Sequence, residues 1–355
     1  MTNLLQSRLN VRKRTLTVCV LICLILILDA CASEQYPEDH EQLSEEERLV
    51  IRFSHVVGEE TPKGLAARRF AELIKERTGG YVEVQVFSNS YLYKDGEEID
   101  ALLQGDVQII APAISKLSEL VPEWQVLDLP FAFDQVEEVF DYVQGPVGQE
   151  LFARLEAKGI KTLAVWDNGF KHITNSQRPI QAPEDMAGLR FRIMPSEVLY
   201  QQFRQIGAEA ENYAFNEVFQ LLEHEHIDGQ ENTLSNIISR NLHYLQNYIT
   251  ISNHGYLGYL VLINRAFWEG LPEEVQDVIL TTLEEVTEWQ HQVAKEMNEQ
   301  NLQEIEACQC IQITYLDEED RELWRQHLQP VYQYYEDKYG KQYVVSLPRF
   351  KNADQ

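Results

Sequence analysis

Residues 49–55 (LVIRFSH) alternate apolar and polar side chains, the period of a strand with one buried face. From Pro62 the period changes. Ala66, Phe70, Leu73, Ile74 and Arg77 fall at helical spacing until Thr78-Gly79-Gly80 stops the run, which predicts an amphipathic helix. Alternation returns at 81–87 (YVEVQVF), and a helix at about 96–104 with a short strand at 107–111 completes a β-α-β-α-β order. That order predicts a parallel sheet in an α/β domain. Residues 122–133 (PEWQVLDLPFAF) are aromatic and apolar and read as core or hinge-facing. Residues 137–158 read as one helix, or two broken near Gly145-Pro146, and 160–166 as a strand.

The stretch 189–232 is the centre of the chain. LRFRIMPS at 189–196 reads as a short strand with Arg190 and Arg192 on one face. A helix at about 197–206 is stopped by Gly207, and 214–232 reads as another helix ending in a polar turn. Its tip, Asp228-Gly229-Gln230-Glu231-Asn232, sets four hydrogen-bonding side chains around one glycine and suits a pocket floor. Residues 256–263 form a mostly apolar strand. Pro272 then opens a helix of about thirty residues, roughly 45 Å long and able to brace two domains. Residues 311–343 predict a short strand and a tyrosine-rich helical tail.

The N-terminus adds an address. Arg8, Arg12, Lys13 and Arg14 precede an apolar run at 16–28 that is too short to span a bilayer comfortably, the layout of a signal peptide. It ends Leu28-Asp29-Ala30-Cys31, which resembles a bacterial lipobox with Cys31 as the lipidated residue, although Asp29 is an unusual occupant. An uncleaved signal anchor is the alternative, and either way the body is expected outside the cytoplasm. Residues 34–48 hold seven acidic side chains and one basic one and read as a solvated linker. The expected boundaries are 1–30 for the lipoprotein-type signal peptide and 31–48 for the acidic linker.

Charge narrows the partners. Among 355 residues the formal net charge is −27, which argues against nucleic acid or an anionic membrane surface. An anionic ligand would need locally clustered cations. Catalytic signatures are missing: there is no GxSxG, HExxH, GxxxxGK[ST] or GxGxxG, so neither an enzyme nor a cofactor is expected. His224 and His226 alternate along a helix and read as its exposed end, so no metal is expected there. Cys308 and Cys310, one residue apart, are badly placed to bridge each other, which leaves free thiols, a strained mutual bridge or pairing between molecules.

LRFRIMPS, then AFNEVFQLL and IDGQEN, resemble the solute-binding proteins of tripartite ATP-independent periplasmic (TRAP) transporters, the DctP-like family. LYKD at 92–95, APxxSK at 111–116, WDNGFKHITNSQRPI at 166–180 and SNHGYLGYLVLINRAFWEGLPEEV at 252–275 look like its C4-dicarboxylate-binding branch. The resemblance spans about 49–343. It implies a two-domain α/β fold of the periplasmic-binding-protein type, class II-like, with a ligand cleft between domains and a long bracing helix. The expected division is 49–169 with 258–297, and 170–257 with 298–350.

In that family the arginine matching Arg192 clamps a ligand carboxylate, and the residues matching Asn232 and Phe215 face it. A guanidinium fork fits a carboxylate with two parallel hydrogen bonds. Without the resemblance, Arg192 would equally pair with an acidic neighbour such as Glu217 or Glu231. Lys171, where relatives often carry arginine, is expected to engage the ligand's other end. Ser115 lies at a strand end, where α/β sheets present ligand groups. His55 lines the cleft or is a core histidine, and Lys94 and Lys116 either add positive potential to the cleft or are surface charges. Asn212-Tyr213 and Thr233 depart from the family's prolines.

The implied function is extracytoplasmic capture of malate, succinate or fumarate by domain closure and delivery to TRAP membrane permease subunits, with contact to the membrane through the lipid anchor only. A uronate or other sugar acid is the alternative ligand, and a ligand-presenting sensor lipoprotein the alternative role.

Overall fold

The computed structural model describes residues 48–351. The expected signal peptide, Cys31 and all but the last residue of the linker lie outside the described residues. Strand β1 (Leu49–Ser54) leads into helix α1 (Pro62–Arg77), whose first turn is capped by Thr61: its side chain accepts from the Gly64 amide at 3.2 Å. Pro62 at the first helical position needs no amide partner. Strand β2 (Val82–Phe87), helix α2 (Glu97–Gln104) and strand β3 (Ile109–Ile110) follow, and β1 pairs parallel with both β2 and β3, as the alternation predicts.

Two 3₁₀ turns, Ile114–Glu119 and Pro122–Asp128, carry the chain to α3 (Val136–Gln144) and α4 (Pro146–Glu156), so the helix does break at Gly145-Pro146. The aromatic run is core: Trp124, Leu127, Phe131 and Phe133 are buried.

The strand expected at 160–166 is longer. Strand β4 (Ile160–Asn175) pairs antiparallel along almost all of β8 (Tyr248–Asn264), which is likewise longer than the apolar run 256–263 suggested. At one end this pair continues through β3 to β1 and β2. At the other it meets β7 (Gly229–Asn232), then β5 (Arg190–Ile193) and β6 (Glu209–Asn212), while β9 (Gln312–Tyr315) adds to β8. A single nine-stranded sheet thus serves both halves of a two-domain α/β fold. The polar run GQEN, read above as a turn, is strand β7, and all four residues are buried. Its side chains are tolerated because they are paired inside: Gln230 Nε2 donates to Thr174 Oγ1 at 2.9 Å and Glu231 meets Lys171.

Between the halves the β4–β8 register slips three times, near Ala164, Asp167–Gly169 and Lys171. Helices α5 (Glu197–Gln205), α6 (Val218–Glu223), α7 (Leu234–Ser239) and α8 (Arg265–Gly270) pack around the sheet, followed by α9 (Glu273–Cys308), the expected bracing helix. With 36 residues it is about 54 Å long. Its side chains take up backbone groups of β4 where the ladder is broken. Gln290 accepts from the Asp167 amide at 2.9 Å and donates to the Asp167 carbonyl at 2.6 Å, and Asn298 Nδ2 donates to the Asn168 carbonyl at 2.9 Å. Cys308 and Cys310 form a disulfide with each other. Gln309 between them sits at φ 53°, a left-handed turn that brings the two Cα atoms to 5.1 Å, inside the disulfide range. Helix α10 (Glu318–Tyr339) then forms most of the tail, with α11 (Lys341–Val345) and α12 (Pro348–Lys351) after it.

Candidate ligand-binding site

The carboxyl ends of the parallel strands converge on one cavity. Val56 and Val57 follow β1, Ala113 and Lys116 follow β3, Met194 follows β5, Phe215 lies beyond β6, and Asn232 ends β7. This is where open α/β sheets present ligand groups. The cavity encloses about 30 Å³, and Asp95, Arg192, Asn236, Leu257 and Tyr259 complete its wall. A separate hydrophobic cluster packs around it, joining Val56 and Val57 to Phe215, Leu234 and Ile237.

Arg192 is 2% exposed. Its Nε donates to the Tyr213 carbonyl at 2.9 Å, and its Nη2 stands 3.5 Å from Asp95 Oδ2. Burial lowers its pKa and Asp95 opposes that, but a guanidinium stays charged at any relevant pH. Its acidic partner is therefore Asp95, not Glu217 or Glu231. Lys116, open above to a surface role, is buried with its Nζ 2.9 Å from the same Asp95 oxygen. Burial pushes the Asp95 carboxyl up, but Lys116 and Arg192 outweigh it and hold the carboxyl below the ordinary range.

The polar wall continues with Asn232, whose Oδ1 accepts from Asn236 Nδ2 at 2.8 Å and from the Thr233 amide at 3.1 Å. Asn236 Oδ1 is buried without a partner among the described residues. Behind the wall, the fully buried Lys63 donates to the Ala111 carbonyl at 2.7 Å and lies 3.6 Å over the Tyr259 ring. Arg240 stacks 5.2 Å from Phe215 and donates to the Val56 carbonyl at 2.8 Å, tying residues beyond β1 to those around α7.

The sequence therefore brings Arg192, Asn232 and Phe215 to one place, and the other three candidates lie outside the lining. Lys171 does not reach the cavity. It is fully buried, its chain lies across Gly255, its partner in the β4–β8 register, and its Nζ donates to Glu231 Oε1 at 2.7 Å. The other Glu231 oxygen is 2.8 Å from His254 Nε2. Ser115 donates to Asp128 at 2.6 Å. His55 is buried beside Val56, both ring nitrogens lack partners among the described residues, and burial drops its pKa to about 3. Sequence reasoning missed Asp95, Asn236, Tyr259 and Arg240, and it left Lys116 open. The matches LYKD, APxxSK and 252–275 contain Asp95, Lys116 and Tyr259 without singling out Asp95 or Tyr259.

A larger groove of about 800 Å³ runs beside α9, but Lys295 is its one lysine or arginine, against the acids Asp167, Glu137, Glu288 and Glu299. It is a poor site for an anion, whereas the small cavity has two cations within reach of each other.

Residues 53–338 match the DctP family, described as bacterial extracellular solute-binding protein, family 7. The chain belongs to this family. DctP proteins are extracytoplasmic solute-binding components of transporters. The C4-dicarboxylate-binding protein DctB of Bacillus subtilis is 45% identical over 312 residues, 88% of this chain and 89% of its own. Among solved DctP-type structures, a TRAP periplasmic solute-binding protein from Shewanella oneidensis with bound succinate superposes with a TM-score of 0.83. It is 40% identical, over 85% of this chain and 99% of that one. The sugar acid binding protein DctPAm from Advenella mimigardefordensis, in complex with galactonate, gives a TM-score of 0.82 at 33% identity, over 86% and 99%.

Proposed function

We propose that this chain captures a C4-dicarboxylate such as succinate, malate or fumarate between its two domains and hands it, chemically unchanged, to the membrane subunits of a TRAP transporter. The observation that carries this is the convergence of Arg192 and Lys116, both lining one small buried cavity, on a single Asp95 oxygen. Two buried cations on the wall of one cavity suit the two carboxylates of a short dicarboxylic acid. In this reading Arg192 takes one carboxylate, Lys116 takes the role first given to Lys171, Asn232 orients the bound acid and Phe215 is the apolar wall. The C4-dicarboxylate relative and the succinate-bound neighbour support the same choice.

The hinge is the β4–β8 pair, with residues 49–169 and 258–297 on one side and 170–257 and 298–350 on the other. Closure excludes water and strengthens both charge pairs. Outside the cytoplasm, the body is tethered through a lipid on Cys31. Incorporation of labelled palmitate that is lost in Cys31→Ala checks this, and labelling that persists in the variant rejects it.

Thermal unfolding against succinate, malate, fumarate, galactonate and glucuronate tests the ligand. An acid present at about 1,000 times its dissociation constant adds about 4 kcal/mol. C4 acids alone should raise the midpoint. A shift with galactonate or glucuronate alone would select the second reading, a sugar acid. That reading has a specific observation behind it, the buried and unpartnered Asn236 Oδ1, which suits a ligand hydroxyl, together with the galactonate-bound neighbour.

A further inference from the structure

Asp95 is the anion that the cavity's two cations share. It sits near the end of the loop between β2 and α2, a partly exposed segment with Asn89 and Ser90 at φ 55° and 59°, Gly96 at φ 101° and Tyr91 79% exposed. Against that setting the Asp95 side chain turns inward and is 5% exposed. Its Oδ2 stands 2.9 Å from Lys116 Nζ and 3.5 Å from Arg192 Nη2, and accepts the Phe215 amide at 2.8 Å. One oxygen thus joins a cation beyond β3 to a cation on β5 and a backbone donor beyond β6. The Asp95 amide adds a bond to Asn216 Oδ1 at 3.4 Å.

A solute carboxylate seeks the same donors. Two buried cations cannot pair fully with Asp95 and with two solute carboxylates at once, because the added anions repel at this distance. We infer that Asp95 is an internal counter-anion that exchanges with the solute's carboxylate at Arg192 and Lys116, so setting the affinity and letting the solute leave without stranding two buried cations. The inference rests on the C4-dicarboxylate reading of the cavity. A dianion, which needs both cations, has to displace Asp95; a monoanion takes one cation and can leave Asp95 on the other.

Calorimetric titration of the wild-type chain and Asp95→Asn with succinate, and with its monoanionic amide succinamate, tests this. Asp95→Asn should bind succinate at least ten-fold more tightly, with slower dissociation, and the gain for succinamate should be smaller. Unchanged or weaker succinate binding by a folded Asp95→Asn overturns the inference while leaving the function standing. A wild-type chain that binds no C4 acid removes the function and the inference together. Hydrogen exchange on the wild-type chain provides a test independent of the variant. Saturating succinate should speed exchange of the amides at 88–96 and of Phe215, which loses its acceptor as Asp95 is displaced, while those at 192–213 slow. Slower exchange at 88–96 would mean that Asp95 stays in place, and would overturn the exchange.

Discussion

Glu231→Gln removes the anion from a lysine that, among the described residues, has no other acidic partner within ion-pair distance. Both side chains are essentially fully buried, and the pair is 2.7 Å apart. Burial pushes the Glu231 carboxyl up, but Lys171 and then His254 outweigh it and hold the pKa at about 2, against an ordinary 4.5. A depression of about 2.5 units corresponds to roughly 3 kcal/mol of native-state stabilisation at neutral pH. An independent route gives the same size, since breaking a buried pair by removing one partner costs about 3–5 kcal/mol.

Because the folded value is the lower one, this stabilisation is complete above pH 4.5 and is lost as the pH falls through 2. Glu231→Gln should therefore lower the midpoint at pH 7 by roughly 5 °C, with a shrinking difference from the parent below pH 4.5. Thermal and urea unfolding at pH 7 and at successively lower pH measure both effects. The double variant Glu231→Gln/Lys171→Met removes both charges and should recover most of the loss. A single-variant loss below about 1 kcal/mol, or a double variant as unstable as the sum of the singles, would refute the view of Lys171 as a structural cation.

Three further outcomes are expected. Arg192→Ala leaves a solute carboxylate buried without its guanidinium and should cost about 3–5 kcal/mol of binding; a calorimetric affinity for succinate equal to the parent's would remove Arg192 from the site. Asp167 is raised by burial to about 6 from 3.8, despite the opposing hydrogen bond from Tyr256, so its charge costs stability above pH 6 and nothing below 3.8. Asp167→Asn should then raise the free energy of unfolding at pH 8 by about 2–3 kcal/mol, measured by urea unfolding, and leave it unchanged at pH 3.5, and no gain at pH 8 would contradict the sign. A Cβ on Gly255 would stand 2.7 Å from Lys171 Cε, so Gly255→Ala should destabilise by about 1–3 kcal/mol, most of which should vanish in a Lys171→Met background if this contact is the cause.

Much of the frame was legible because it rests on periodicity. The alternation at 49–55 and 81–87 became β1 and β2, and the apolar spacing after Pro272 became α9. What escaped is polar chemistry between distant residues. Lys171 lies beyond the stretch of β4 that alternation marks and looks like a ligand group, and its partner Glu231 lies sixty positions on, in a run whose glycine and amides resemble a turn. Hydrophobic patterning has nothing to say about a strand that buries paired polar side chains. Asp95 and Lys116 were hidden for a related reason: each lies in an irregular segment, and only the folded sheet brings them to Arg192. The Cys308–Cys310 bridge depends on a single positive φ that no spacing rule encodes.

The amide side chains of α9 that hold the bulged middle of β4 have a mechanical consequence. A strand that bends usually surrenders ladder bonds to water, which makes bending costly. Here the Asp167 backbone is gripped on both its amide and its carbonyl by Gln290, and Asn298 holds the next carbonyl. In the proposed domain closure this arrangement acts as a joint running in a bearing, turning through small angles while its polar groups keep their partners, so that the work of moving the domains is left to the contacts around the solute.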